Sequence, residues 1–172
     1  MSLAILGAAF SILSSALLMN RNIIAEKELI EIGEFLHNSL TKEFSRSAEI
    51  ESVLDKDNVV HTHIGDRFID IRCVKLIRSK RISYNSPYKE ELIYLKDHEA
   101  DGRGSLWAHK NSNSWKTNIK AFASYRSYEI GTQVDSLKIK RVEGNIFLLE
   151  LVLKYYDTDI DHRKSFLVKL QD

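Results

Sequence analysis

Three short runs of this sequence place metal-ligand residue types at alternate positions. His61 and His63 are two apart, so a strand would aim both imidazoles to one side, an arrangement usable for a metal. No cysteine and no third histidine lies near them in sequence, and a solvated strand face accounts for the pair without a ligand. Asp97-His98-Glu99-Ala100-Asp101-Gly102 alternates acids and carries glycine at its sixth position, as a calcium loop does. The twelfth position is Ala108, where such a loop needs a bidentate glutamate. Asp157, Asp159 and Asp161 alternate as well, but His162 takes the glycine position, and the run reads as a solvated hairpin tip. No metal site is assigned from these runs, and no cofactor is expected.

Covalent chemistry has fewer candidates still. Cys73 is the only cysteine, so no intrachain disulfide can form. It lies in an apolar alternating run and reads as a small buried hydrophobe. Gly-x-Ser-x-Gly elbows, His-Glu-x-x-His pairs and phosphate-cradling glycine loops do not occur. No catalytic residue is assigned, and the chain is not read as an enzyme. Trp107 and Trp115 flank the polar run from His109 to Ser114; they either pin a long loop to the core or anchor a partner surface. Lys75, Arg78, Lys80 and Arg81 make a short basic run that an exposed strand end explains. With a formal net charge of +1, no nucleic-acid partner is expected.

The elements that would position these groups begin with an apolar run. The chain has 172 residues, 44% apolar and 28% charged, enough for one globular domain and an anchor. Met1 to Met19, MSLAILGAAFSILSSALLM, contains no charged side chain. As a helix it would span roughly 28 Å, near the ~30 Å thickness of bilayer hydrocarbon. Its serines can bond back to carbonyls of the preceding turn. Gly7, Ala8, Ala9, Ser11, Ser14 and Ser15 permit close helix–helix approach. A core helix apolar on all faces would be unusual in so small a domain, and a cleaved signal peptide needs a basic segment that nothing before Leu3 supplies. The run therefore reads as a membrane anchor, with Leu3, Ile5, Leu6, Phe10, Ile12, Leu13, Leu17 and Leu18 as its membrane and assembly surface. Arg21 and Lys27 would place the following side in the cytoplasm by the positive-inside rule, although Glu26 and Glu28 offset them.

The helical pattern then continues. Leu29, Ile32, Leu36, Leu40 and Phe44 recur every three or four residues, flanked on the same stripe by Ile24, Ala25 and Phe35. Glu28, Glu31, Glu34, Asn38, Lys42 and Arg46 take the opposite face. No proline interrupts from Met1 to Ser47, so one helix of about 65–70 Å is expected, its second half lying on a sheet. Beyond the turn cluster Asp55-Lys56-Asp57-Asn58 the period changes to two. Strands are expected at Val60 to Ile64 and Phe68 to Cys73, joined by a hairpin at Gly65-Asp66. Further strands are expected at Glu91–Leu95, Ala121–Tyr125, Ser136–Val142, Ile146–Tyr155 and Lys164–Leu170, with a second hairpin at Glu143-Gly144-Asn145. Lys96 to Asn118 reads as an irregular excursion. The expected architecture is α+β, a long helix packed on an antiparallel sheet. Its parts are an apolar helix over 1–20, an amphipathic continuation over 21–54 and a β-rich domain over 55–172.

This layout resembles that of type IV pilins and type II secretion pseudopilins. MSLAILGAAFSIL is similar to the interior of their N-terminal segment. Ile32-Gly33-Glu34-Phe35-Leu36 followed by Leu40 resembles the Asn-Gly-Arg-Phe-Ala stretch of PilW-like minor pilins, and Gly131-Thr132-Gln133-Val134-Asp135-Ser136-Leu137-Lys138-Ile139 resembles their later glycine-to-strand segment. Neither the family's glycine-phenylalanine processing site nor its fifth-position glutamate is present; Met1 falls several residues inside the pattern, and further residues are expected upstream. The resemblance implies an inner-membrane, single-pass protein with its C-terminal domain in the periplasm, which overrides the two-charge orientation signal. It also implies a non-enzymatic subunit that primes or caps a pilus-like filament, with other pilin or pseudopilin subunits as partners through the N-terminal helix. Calcium at the Asp97–Gly102 loop stays open, because some pseudopilins bind it in their loops. The reading from another class is a membrane-anchored periplasmic sensor or ligand-binding domain.

Overall fold

The structure is a computed structural model. It describes the backbone of residues 2–83, 86–98, 104–111, 119, 128–156 and 158–171, and the side chains of 7–78, 104–109, 119, 129–156 and 158–171. The uninterrupted run of helix formers becomes one helix, α1, Ser2–Ser45. Its last turn tightens, with the Arg46 and Ser47 amides donating to the carbonyls of Glu43 and Phe44 at 3.3 and 3.0 Å. The helix has the length expected, 44 residues, and ends before residue 54, the bound given to its amphipathic part. Ala48 donates its amide to the Ile77 carbonyl at 2.8 Å, which commits the chain to a sheet, and strand β1, Glu49–Asp55, follows at once.

The amphipathic half buries Ala25, Leu29, Gly33, Leu36, Leu40 and Phe44. Ile32 is half-buried and packs on the same core. Phe35 does not join them: it is 56% exposed, as is Ile24. A helix turns about 100° per residue, so a stripe centred between Leu29 and Leu40 points Phe35 away from the sheet. Gly33 occupies the place on the stripe that apolar spacing alone gave to the larger side chain. Burying Leu29, Leu36, Leu40 and Phe44 contributes roughly 1.5–3 kcal/mol each as an upper bound.

The strands after β1 are β2 (Val60–His61), β3 (Ile69–Ser83), β4 (Ser86–His98), β5 (Gly104–Asn111), β6 (Tyr128–Gly131), β7 (Val134–Glu143), β8 (Ile146–Lys154) and β9 (Asp161–Lys169). All pair antiparallel, in the order β6-β5-β4-β3-β7-β8-β9, with β1 between β2 and β3. β3 changes partner along one edge: Ile69 and Asp70 pair with β7, and from Ile71 onward the partner is β1. The fold is therefore α+β, a long helix on an antiparallel sheet.

The Glu143-Gly144-Asn145 turn joins β7 to β8 as expected, with Gly144 at φ +49° supplying the left-handed residue. The hairpin expected at Gly65-Asp66 is absent. β2 is only Val60–His61 and pairs with β1 instead, Val53 opposite His61 and Leu54 opposite Val60. The Asp55–Asn58 turn makes that pairing, and β1 then takes the edge of β3 that β2 would have used. Part of the expected excursion is also regular. β4 continues to His98, and β5 pairs with it from His98 opposite Gly104 to Glu91 opposite Asn111. Leu106 and Ala108 are buried in β5, an alternation hidden by its Gly, Ser, Asn and Lys neighbours. The strand expected at Ala121–Tyr125 lies outside the described residues, as do Trp115 and residues 99–103 of the calcium-like run.

The main core joins the helix stripe to Val53, Val74, Leu76, Leu106, Val134, Leu137, Leu149 and Leu151, among others. A smaller cluster of Leu54, Cys73 and Ile119, with Trp107 against it, comes from the other face of β1 and β3. Trp107 thus pins its strand to a core. Lys75 and Arg78 are not on an exposed strand end; they are 3% and 8% exposed. They sit where β3 runs between β1 and β4, Lys75 paired to Glu51 at 2.5 Å and Arg78 to Glu43 of the helix.

Candidate functional site

The most distinctive surface is the part of α1 that meets no sheet. Phe10 is 73% exposed and Leu17 62%, and Ile12, Leu13 and Leu18 are likewise exposed. Leu3, Ile5 and Leu6 belong to the same helix, but their side chains lie outside those described. The Ser15 hydroxyl donates to the Ser11 carbonyl at 2.9 Å, so it needs no water. This helix is long and apolar enough to cross a membrane. An uncovered apolar surface of this extent is not stable in water alone, and it requires lipid or another apolar partner.

From about Ala25 onward the same helix is held to the domain by specific contacts. The His37 ring lies 4.5 Å from that of Phe166 on β9, tilted by 52°. Glu34 pairs with Lys164 on β9, which holds its carboxyl below the usual range through hydrogen bond and charge together. Glu43 pairs with Arg78 on β3, and the Ser47 carbonyl accepts the Gln171 amide at 2.9 Å. Apolar projection and anchored half thus belong to one continuous helix.

Away from the helix, the polar side chains converge at His61. Its Nε2 lies 2.7 Å from Oδ2 of Asp55, and Oδ1 of Asp55 accepts the amides of Asp57 and Val59 at 2.9 and 2.8 Å. Burial pushes the Asp55 pKa up, but His61 and the two amides outweigh it and hold the carboxyl below the ordinary aspartate value. A cleft of about 410 Å³ lies on one side, lined by Asp57, Phe68, Asp70 and Lys138 among others. A second of about 200 Å³ lies on the other, beside Arg141 and Asn145.

The residues with metal-ligand spacing are engaged or exposed separately. His61 is taken by Asp55, while His63 is exposed on the irregular segment after β2 rather than on a strand. Asp161 bonds Arg163 at 3.1 Å, and Asp159 is exposed; Asp157 lies outside the described residues. Among the described residues no group of three or more His, Cys, Asp or Glu side chains could hold a metal ion. The Asp55–His61 pair and Arg141 were not singled out from sequence. The first two stand six positions apart, a spacing that acquires meaning only once the hairpin between β1 and β2 is known. Comparison of the chain with models of known protein families, with curated proteins and with solved structures finds no match.

Proposed function

We propose that this chain is a minor pilin or pseudopilin, a structural subunit that primes or caps a type IV pilus-like filament. The supporting observation is the continuity of α1: a bare apolar projection passes without a break into a stripe docked on an antiparallel sheet. In this reading the projection rests in the inner membrane with the β-rich domain in the periplasm. On assembly it exchanges lipid for like helices. Uniform apolarity serves both states, and Gly7, Ala8, Ala9 and Ser11 let backbones approach closely. The subunit performs no chemistry; its partners are other pilin or pseudopilin subunits.

The experiment is in-cell crosslinking from the projection. Leu13→Cys, in cells making the other filament subunits, is treated with a thiol crosslinker; buried Cys73 contributes little background. The expected product joins this chain to another pilin subunit and appears in the sheared filament fraction. Recovery of monomer alone from membranes that contain those subunits overturns the filament reading and favours a tethered ligand-binding domain.

A further inference from the structure

Where α1 ends, at the pole remote from the apolar projection, distant stretches of chain converge on the cleft of about 200 Å³. Arg141 of β7 lines it, and its position is set from two sides. Its guanidinium lies 5.3 Å from the centroid of the Phe147 ring, and its backbone amide donates to the Gly65 carbonyl at 2.8 Å. Nε is enclosed and makes no hydrogen bond, so the Nη amino groups are those a ligand would meet. Arg141 has no carboxylate partner among the described residues. The Thr62 hydroxyl and the Asn145 carboxamide, also lining the cleft, have no side-chain partner among them either.

Charge and shape narrow the occupant. His61 on the rim is hydrogen-bonded to Asp55, and the rim acid Glu49 is exposed and engaged in an interaction of its own. The Arg141 guanidinium is the cationic group that suits an anion here, with two neutral groups able to donate beside it. Ile50, Ile64, Phe147 and Leu170 lie beneath it, and most of the surface that faces the cleft is polar. The volume is below the ~300–1,000 Å³ of a drug-sized site, so it admits a single small group.

The geometry points to a carboxylate-binding cleft. Arg141 takes a carboxylate in its planar fork, and Thr62 and Asn145 complete the hydrogen bonds. A C-terminal residue of a protein and a free aliphatic acid share this chemistry. The inference stands whether or not the chain joins a filament.

The test titrates the full chain in detergent micelles, by calorimetry, with N-acetyl-leucine, its amide and isovalerate. Saturable binding of N-acetyl-leucine is expected, with the amide about tenfold weaker for want of the charge-assisted bond. Arg141→Lys should weaken the acid about tenfold, because an ammonium lacks the fork. Asn145→Ala, on an exposed turn, should weaken it about threefold and guards against misfolding of the arginine variant. Isovalerate binding as tightly as N-acetyl-leucine assigns a free acid, whereas preference for N-acetyl-leucine assigns a protein C-terminus. Equal binding of acid and amide, no saturable binding, or an affinity unchanged in both variants overturns the inference.

Discussion

Gly33 and His162 meet across the seam between helix and sheet. A β-carbon on Gly33 would come 3.1 Å from Cδ2 of the imidazole and 3.4 Å from Cδ1 of Leu153. The seam is therefore closed at a helix position that carries no side chain.

Two glycine substitutions should separate tight contact from true exclusion. In Gly33→Ala, the half-buried imidazole needs to yield by only tenths of an ångström, while helix propensity gains about 1 kcal/mol. A change within about 1 kcal/mol of the parent is expected from denaturant unfolding of the detergent-solubilised chain. Gly104→Ala differs, because its β-carbon would overlap the backbone carbonyl of Val134 where β5 approaches β7. A loss of about 3 kcal/mol or more is expected. Equal effects at the two positions would mean that the strands do not approach this closely.

The direction of the helix stripe is tested by neighbours in sequence. Leu36 is fully buried and Phe35 is 56% exposed. Leu36→Ala should cost about 2–5 kcal/mol, and Phe35→Ala less than about 0.5 kcal/mol in the same unfolding measurement. The reverse order would turn the helix on its axis and restore the face expected from apolar spacing.

Acid should reveal the Asp55–His61 pair. Because the folded-state pKa of Asp55 lies below its unfolded value, the charged carboxylate stabilises the fold fully above that unfolded value. The contribution is lost as pH falls through the folded one. Asp55→Ala should therefore cost roughly 1–3 kcal/mol near neutral pH, with the gap to the parent shrinking below about pH 4. Urea midpoints measured across that range decide it; a gap that stays constant into strong acid removes the carboxylate from this role.

Cys73 should be silent in the native chain. Burial pushes its thiol up to about 12, against a small lowering by Arg72, so little thiolate forms near neutral pH. Labelling with a thiol reagent is expected to be slow in the folded chain and stoichiometric in denaturant. Rapid native labelling would place Cys73 outside the cluster with Leu54 and Ile119.

Legibility of the sequence followed the range of the interaction involved. α1 could be read because its causes are local: helix formers, no proline, and apolar residues at three- and four-residue spacing. The Gly144 turn could be read for the same reason. Gly65-Asp66 carried an equally good local signal and failed, because the Asp55 carboxylate had already closed a hairpin upstream. Phe35 misled because hydrophobicity marks a face only when the neighbouring element is known, and that element fits against Gly33. Arg141, Thr62 and Asn145 come from separate parts of the chain, and no spacing announces that they share a cleft.

Helix and strand β9 run in the same direction, as the order of the Glu34–Lys164, His37–Phe166 and Ser47–Gln171 contacts shows. A pull on the apolar end of α1 would therefore load β9 lengthwise. Its backbone bonds to β8, which lie across the strands, would bear that load together in shear rather than parting one by one. Force spectroscopy would register a single high rupture, and stepwise unzipping at low force would refute this. A domain built in this way is suited to hanging from its helix under tension.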